Sequence, residues 1–310
     1  MTVGAPLDKF IRATTHEATA ELLDVFQKHG HSEIDTARIY GGGTTEEYLA
    51  AVGWQERGLQ ISTKAFPTKG MHLTWLYPDE LSHWPADLRK SLNDSLKALK
   101  TDKFYTFYLH SPDRRVPFED TLREVNAMHA EGLFERFGLS NYMAWEVAQI
   151  CEICKRHEWV APSVYQGRYN AITRLSFYAF NPLAASFLTS RYTCDHTNFK
   201  EGDRFDPAGK VGKTTHARYW HGATFTAFEL LRAAIAPHGI TESEAALRWL
   251  AHHSALKTEC GDAVIVGTGS TAHLEANLAA LDKGPLPTDV VEALNAGWGY
   301  TRVLLSKYYN

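Results

Sequence analysis

Long apolar runs are missing from this chain of 310 residues, and so are clusters of one charge. No window approaches the roughly 18–20 uninterrupted apolar residues of a membrane-spanning helix. Residues 1–10 lack the basic segment followed by an apolar core that marks a secretory leader. The expectation is a soluble, cytoplasmic protein with no membrane partner. Net charge is −4 and the basic residues are scattered, which leaves no electrostatic footprint for nucleic acid. Cysteine is scarce, at positions 151, 154, 194 and 260. Cys151 and Cys154 share one face of a helical pattern, but no second pair or suitably spaced histidines complete a zinc set. Packed, reduced thiols are the expectation. His252 and His253 are adjacent and point apart on a helix, and His16-Glu17 lacks the second histidine of a zincin motif. No metal is assigned.

What is present is an ordinary globular balance, 44% hydrophobic and 22% charged, enough to bury a large core. A single domain over 1–310 is expected, since α/β barrels of more than about 200 residues fold as one unit. Over 16–29 the apolar positions Ala20, Leu22, Leu23 and Phe26 recur at helical spacing, and Gly30 supplies a stop. Further helices are predicted at 84–100, with Leu88, Leu92, Leu96 and Leu99 on one stripe, and at 118–130, 144–157, 239–253, 271–281 and 288–304. Thr44 opens another, with Glu46 and Glu47 in its first turn, and Thr241-Glu242-Ser243-Glu244 resembles a capping box. Strand-like runs fall at 1–4, 33–37, 59–65, 104–110, 134–139, 163–169, 177–183 and 263–266, and the polar stretch 193–215 reads as a long loop. Eight strands mostly alternating with helices argue for an α/β fold of the (β/α)8 TIM-barrel type, with an open doubly wound sheet as the competitor. One crossover is too short. Only 170–176 separates the sixth and seventh runs, whereas parallel neighbours need about a dozen residues or more, so the helix expected between strands 6 and 7 is missing, and either the two runs form one irregular element or the barrel is open or re-registered there.

Four groups able to carry a proton lie at or just beyond the ends of three successive strands. Asp35 and Tyr40 belong to Glu33-Ile34-Asp35-Thr36-Ala37-Arg38-Ile39-Tyr40, Lys64 closes Gln60-Ile61-Ser62-Thr63-Lys64, and His110 closes the aromatic run 104–110. A phenol ordinarily titrates near pH ~10. An ammonium nearby stabilises the phenolate, a carboxylate can hold that ammonium in place, and an imidazole can orient a carbonyl oxygen. The constellation suits protonation of an alkoxide as it forms. A barrel hydrolase would want a carboxylate pair or a metal set, and neither is seen.

These residues resemble a known family. Glu33-Ile34-Asp35-Thr36-Ala37 with Tyr40, Ser62-Thr63-Lys64, Tyr108-Leu109-His110-Ser111-Pro112-Asp113 and Gly138-Leu139-Ser140-Asn141-Tyr142 are similar to aldo-keto reductase signatures. Val164-Tyr165-Gln166-Gly167, 169–174 and 177–184 resemble more narrowly the branch of aflatoxin-aldehyde and succinic-semialdehyde reductases. The resemblance implies reduction of an aldehyde or ketone with NADPH in preference to NADH. It makes Tyr40 the general acid, Lys64 the group lowering its pKa, Asp35 the partner of Lys64, and His110 the orienter of the substrate carbonyl. It also implies that Ser140, Asn141 and Gln166 hold the nicotinamide carboxamide, with Asp35 beside the cofactor and Phe180 stacked on the ring. Asn181, Leu183 and Arg191, with Arg204, would line the pyrophosphate, and Gly269 and Ser270 in Gly267-Thr268-Gly269-Ser270 would make an anion cradle. Asn277 and His273 would face the adenosine, His273 standing where relatives carry arginine or glutamine. Arg218 matches a substrate-anion arginine, while Thr215 stands where a substrate-contacting tyrosine is expected. The partners implied are a small-molecule carbonyl compound and at most a second copy, as monomer or homodimer. The alternative is an NADP(H)-binding but catalytically weak auxiliary or decayed reductase-fold protein.

Overall fold

The computed structural model describes residues 2–7, 11–71, 73, 77–169, 178–200 and 202–304. The chain forms two compact units, one essentially of residues 1–166 and one essentially of 167–308, with residues 269–271 belonging to the first.

In the first unit, β1 (Glu33–Asp35), β2 (Gln60–Ala65), β3 (Phe104–Leu109), β4 (Phe134–Ser140) and β5 (Val164–Arg168) pair in parallel, each with its neighbour in sequence. Between them run α1 (His16–Lys28), α2 (Thr44–Ala51), α3 (Pro85–Leu99), α4 (Phe118–Ala130) and α5 (Ala144–His157). The helices start and stop where local chemistry dictates. Thr15 Oγ accepts the Ala18 N–H at the head of α1, Pro85 opens α3, and Lys100 and Glu158 end α3 and α5 in the left-handed region. The leucine stripe of α3 is buried through Leu88, Leu92 and Leu99 in one core cluster with Phe107, Phe137 and Leu139, and each such side chain contributes about 1.5–3 kcal/mol by leaving water.

Strand β2 is buried from Ile61 onward although three consecutive residues, Ser62, Thr63 and Lys64, are polar. A buried polar group must be hydrogen-bonded. Each of these is: Ser62 donates to Glu33, Thr63 to Glu46 and Lys64 to Asp35. Lys64 pairs in register with Tyr108 on β3, and Tyr108 with Gly138 on β4. The glycine is required there, because a Cβ at 138 would lie 2.3 Å from the Tyr108 ring.

In the second unit, β6 (Tyr178–Phe180) pairs in parallel with β7 (Ala263–Val264), and the Tyr169 N–H donates to the Phe180 carbonyl. The helices are α6 (Lys210–Tyr219), α7 (Gly222–Ile235), α8 (Glu242–His252), α9 (Thr271–Leu281) and α10 (Thr288–Thr301). Their core gathers Phe187, Phe205, Phe228 and Trp249. Helices α7 and α10 meet closely at Gly297, where a Cβ would stand 3.1 Å from that of Ala227.

The described residues hold seven strands. Of the segment 1–4 expected as the first strand, the described residues 2–4 form none: Val3 makes an isolated bridge to Ala13, with Gly4 donating to the Ala13 carbonyl. The loop predicted over 193–215 ends earlier, because α6 begins at Lys210, and the strand predicted at 263–266 is two residues long. The short crossover at 170–176, with its missing helix, lies outside the described residues.

Candidate active site

Asp35 is the last residue of β1, Lys64 the penultimate residue of β2, and His110 follows β3 directly. Tyr40 opens a one-turn 3-10 segment, 40–43, in the loop after β1, where its N–H donates to the Ala37 carbonyl at 2.9 Å. Lys64 is the hub. Its ammonium donates to Asp35 Oδ2 at 2.6 Å and to the Thr36 carbonyl at 2.7 Å, and stands 3.5 Å from the Tyr40 hydroxyl. It also lies 5.0 Å from the centre of the Tyr40 ring. Its side chain is fully buried while that of Asp35 is 17% exposed, so the pair has a dry side and a side open to a ligand. His110 stacks edge-on against both Tyr40, at 5.7 Å, and Phe66, at 5.2 Å.

Burial and neighbouring charge work against each other here. For Lys64, burial alone would lower the pKa, but Asp35 and Tyr40 overcome it and the ammonium titrates above its ordinary value. For Tyr40, burial raises the phenol above its ordinary value. Lys64 pulls it down, as expected from the sequence, but Asp35 pushes it up and the balance stays upward. His110 is held well below the usual histidine range by burial, then by Lys64 and by His83. It is therefore a neutral imidazole at neutral pH.

Gln166, on β5, joins this cluster: its amide Nε2 donates to Asp35 Oδ1 at 2.8 Å, so the two carboxylate oxygens serve Lys64 and Gln166 separately. Asn141 sits just past β4 in the left-handed region, φ 64°, and its Nδ2 donates both to the His110 carbonyl at 2.9 Å and to Ser140 Oγ at 3.0 Å. Asp35, Tyr40, Lys64, His110, Ser140, Asn141 and Gln166 all belong to the first unit, as do Gly269 and Ser270. A Cβ at Gly269 would stand 2.9 Å from Arg12 Cγ.

Phe180, Asn181, Leu183, Arg191, Arg204, Arg218, His273 and Asn277 belong to the second unit. Phe180 ends β6 with the Arg168 guanidinium 5.7 Å from its ring centre. Asn181 donates to the Tyr219 hydroxyl at 2.7 Å and accepts the Ala185 N–H. It leads a run of left-handed residues, with Ala184, Ala185 and Ser186 at φ 48°, 59° and 75°. The Arg191 guanidinium is paired with buried Asp203. Arg218 is on α6; on α9, Asn277 is buried and His273 exposed.

Sequence reading missed three residues. His83, ahead of α3, is buried, has its Nε2 without a partner among the described residues, and donates its main-chain N–H to Asp113 Oδ2. Glu46 is wholly buried on α2, and Arg168 is buried beside Phe180. None carries a spacing signal; only burial distinguishes them.

The family model described as "Aldo/keto reductase family" matches residues 7–298. The chain belongs to the aldo/keto reductase family. An aldo-keto reductase of Pseudocercospora fijiensis is 44% identical over 302 residues, covering 93% of this chain and all of that protein. Aflatoxin B1 aldehyde reductase member 2 of Homo sapiens is 39% identical over 308 residues, covering 91% of this chain and 82% of the relative, and the branch resemblance read from the motifs is thereby borne out. The crystal structure of an aldo-keto reductase from Klebsiella pneumoniae in complex with NADPH matches with a TM-score of 0.61 at 20% identity, over 94% of this chain and 86% of that one. At that identity the likeness shows the fold, the parallel α/β architecture of aldo/keto reductases. Among the described residues, no helix is long and apolar enough to cross a membrane, and no group of three metal-ligating side chains converges.

Proposed function

We propose that the chain reduces an aldehyde or ketone to an alcohol, with NADPH rather than NADH as the hydride source and Tyr40 as the proton donor. The observation that carries this reading is Lys64, fully buried and held between the Asp35 carboxylate and the Tyr40 phenol. The family match over 7–298 supports reading the chain as a single reductase domain.

The residues fit a nicotinamide carboxamide, which needs one acceptor and one donor. Asn141 spends both hydrogens of its amide within the protein, leaving its carbonyl oxygen to accept. Ser140 accepts from Asn141 and so keeps its hydroxyl hydrogen to donate, and Gln166 retains its carbonyl oxygen and one N–H beyond its bond to Asp35. When bound, the dihydronicotinamide supplies the hydride. The NADPH of the Klebsiella pneumoniae structure favours the phosphorylated cofactor. For Phe180, Asn181, Leu183, Arg191, Arg204, Arg218, Gly269, Ser270, His273 and Asn277, the roles implied by the resemblance stand as part of the same proposal.

In this reading His110, neutral because it is buried beside Lys64, donates to the carbonyl oxygen and polarises it without adding a second cation. As the carbonyl carbon gains the hydride, the oxygen becomes an alkoxide and takes the Tyr40 proton. The tyrosinate left behind faces the Lys64 ammonium and is reprotonated from solvent. A raised phenol pKa keeps Tyr40 protonated and ready at neutral pH.

The test is direct. The purified chain should change NADPH fluorescence on binding, and a nitrobenzaldehyde should then consume the cofactor absorbance. Tyr40→Phe should bind NADPH as tightly and lose about 100-fold or more in kcat, the scale of a general acid. Binding without turnover by the unaltered chain would establish the weak-auxiliary reading instead.

A further inference from the structure

Among the described residues, the Tyr40 hydroxyl is held by no close hydrogen bond. It is 3.5 Å from Lys64, a long approach for a hydrogen bond, and three glycines follow Tyr40, Gly41, Gly42 and Gly43, all in the left-handed region at φ 59°, 64° and 93°. Glycine offers little resistance to rotation, so the place of the phenol must be imposed from elsewhere. Two residues before it, Arg38 reaches back over this turn. Its Nη2 packs so closely on Gly43 that a Cβ there would lie 2.6 Å away, and the guanidinium stands 5.8 Å from the centre of the Tyr77 ring.

The other terminal nitrogen of Arg38, Nη1, meets Glu46, whose side chain is wholly buried. The Glu46 carboxylate accepts Arg38 Nη1 at 2.8 Å, Thr63 Oγ1 at 2.6 Å and Ser95 Oγ at 3.0 Å. Thr63 immediately precedes Lys64 in β2, while Arg38 lies on the Tyr40 loop. One carboxylate thus holds a side chain from each of the two segments that carry the phenol and the ammonium, and Ser95 fixes the carboxylate to α3. We infer that Glu46 is a positioning residue for proton delivery: by tying the Tyr40 loop and strand β2 to one buried point it sets the separation of Tyr40 from Lys64. The inference rests on the reading of Tyr40 as proton donor.

A charge suits the task. A neutral acceptor would hold two hydroxyls, but only a carboxylate also holds the guanidinium firmly, since charge-assisted bonds are shorter and about twice as strong. Burial makes the arrangement costly to break from one side.

Two variants test it. Thr63→Val removes the strand tether with no change of charge or appreciable change of volume; Glu46→Gln keeps acceptors for the hydroxyls and weakens the grip on Arg38. Each is measured for kcat and KM with a nitrobenzaldehyde, for NADPH binding by fluorescence, and for kcat against pH, with rates referred to folded protein. Thr63→Val should lower kcat about tenfold, the scale of a small misplacement of a reacting group, with NADPH affinity within about twofold. Its alkaline limb should move to higher pH, because a phenol further from Lys64 loses part of the ammonium's downward pull. The combined variant should fall little below Glu46→Gln alone, the two tethers acting through one carboxylate. If kcat per folded molecule and the alkaline limb of Thr63→Val match the unaltered chain, Glu46 is merely structural and the inference is overturned. If the unaltered chain reduces no aldehyde, or Tyr40→Phe keeps its rate, the proposed function falls and the inference with it.

Discussion

Replacing Asp35 by asparagine removes one charge and almost no volume, at the place where the site depends most on charge. The Asp35–Lys64 contact is 2.6 Å, with the lysine side chain fully buried. At an effective dielectric of about 20 the gross attraction is about 6 kcal/mol, most of it offset by the desolvation already incurred. What an experiment reads is the cost of leaving the ammonium buried without its counter-charge, about 3–5 kcal/mol. The Thr36 carbonyl at 2.7 Å still accepts from Lys64, and an amide oxygen can replace one carboxylate oxygen, so the lower end, about 3 kcal/mol, is expected. Urea unfolding at pH 7 should show the midpoint falling by about 1 M or more, for a slope of about 2–3 kcal/mol per M. A pH signature accompanies the loss. Lys64 titrates above its ordinary value of 10.5 in the folded chain, so its contribution to stability is complete below that pH and disappears as pH rises through the folded value. In Asp35→Asn the main charge sustaining that rise is gone: the alkaline loss of stability should shrink and the alkaline limb of activity should move to lower pH. An unchanged urea midpoint together with an unchanged alkaline limb would refute the assignment of Asp35 as counter-charge to Lys64.

Two further outcomes are expected. His83 is buried and titrates at about 4 rather than 6.5, chiefly because burial disfavours its charged form. The unfolded chain therefore binds the extra proton first, and stability falls as pH drops from 6.5 toward 4, by about 3 kcal/mol for this group. His83→Gln should flatten urea midpoints measured across that window, and a slope like that of the unaltered chain would sink the argument. Ala185 holds φ 59° and ψ 32°, inside the left-handed run after β6. Ala185→Gly should relieve about 1–2 kcal/mol of strain against about 0.5–1 kcal/mol of added chain entropy, a net gain of about 1 kcal/mol, seen as a higher urea midpoint; a lower midpoint would contradict it.

The first unit was legible in the sequence because β2 to β5 are largely buried and so read as mainly apolar runs, broken mostly where a polar residue has a partner, while β1 is half-buried. The helices at 118–130 and 144–157 were read to the residue, and the leucine stripe of α3 points where its spacing says. The second unit was less legible for identifiable reasons. Helix α6 has no side-chain cap and a mostly polar sequence, so its first residues passed as loop, and α7 begins at Gly222 without a capping side chain to announce it. Strand β7 is two residues long, too short for a period to show. The segment 1–4 is apolar in sequence, but Val3 meets Ala13 in an isolated bridge; composition alone does not say whether a ladder follows. Among site residues, Asp35, Lys64 and His110 were found because strand ends can be counted. His83 and Glu46 were not, since a histidine before a helix and a glutamate in a helix's first turn are ordinary surface patterns until burial is known.

The same contrast explains how the site is built. In the proposed reading Lys64 stays charged to face a tyrosinate, and His110 stays neutral, so that it donates without placing a second cation beside Lys64. Burial pushes both toward neutrality. The two are separated by their neighbours: Asp35 bonds Lys64 directly at 2.6 Å, whereas the His110 Nδ1 has no hydrogen-bond partner among the described residues and Asp113, three residues on, is bonded by Arg115 and by the His83 main-chain N–H. The second carboxylate thus has cationic and N–H partners of its own, His110 feels chiefly the positive charge of Lys64, and one low-dielectric environment holds a cation and a neutral donor side by side.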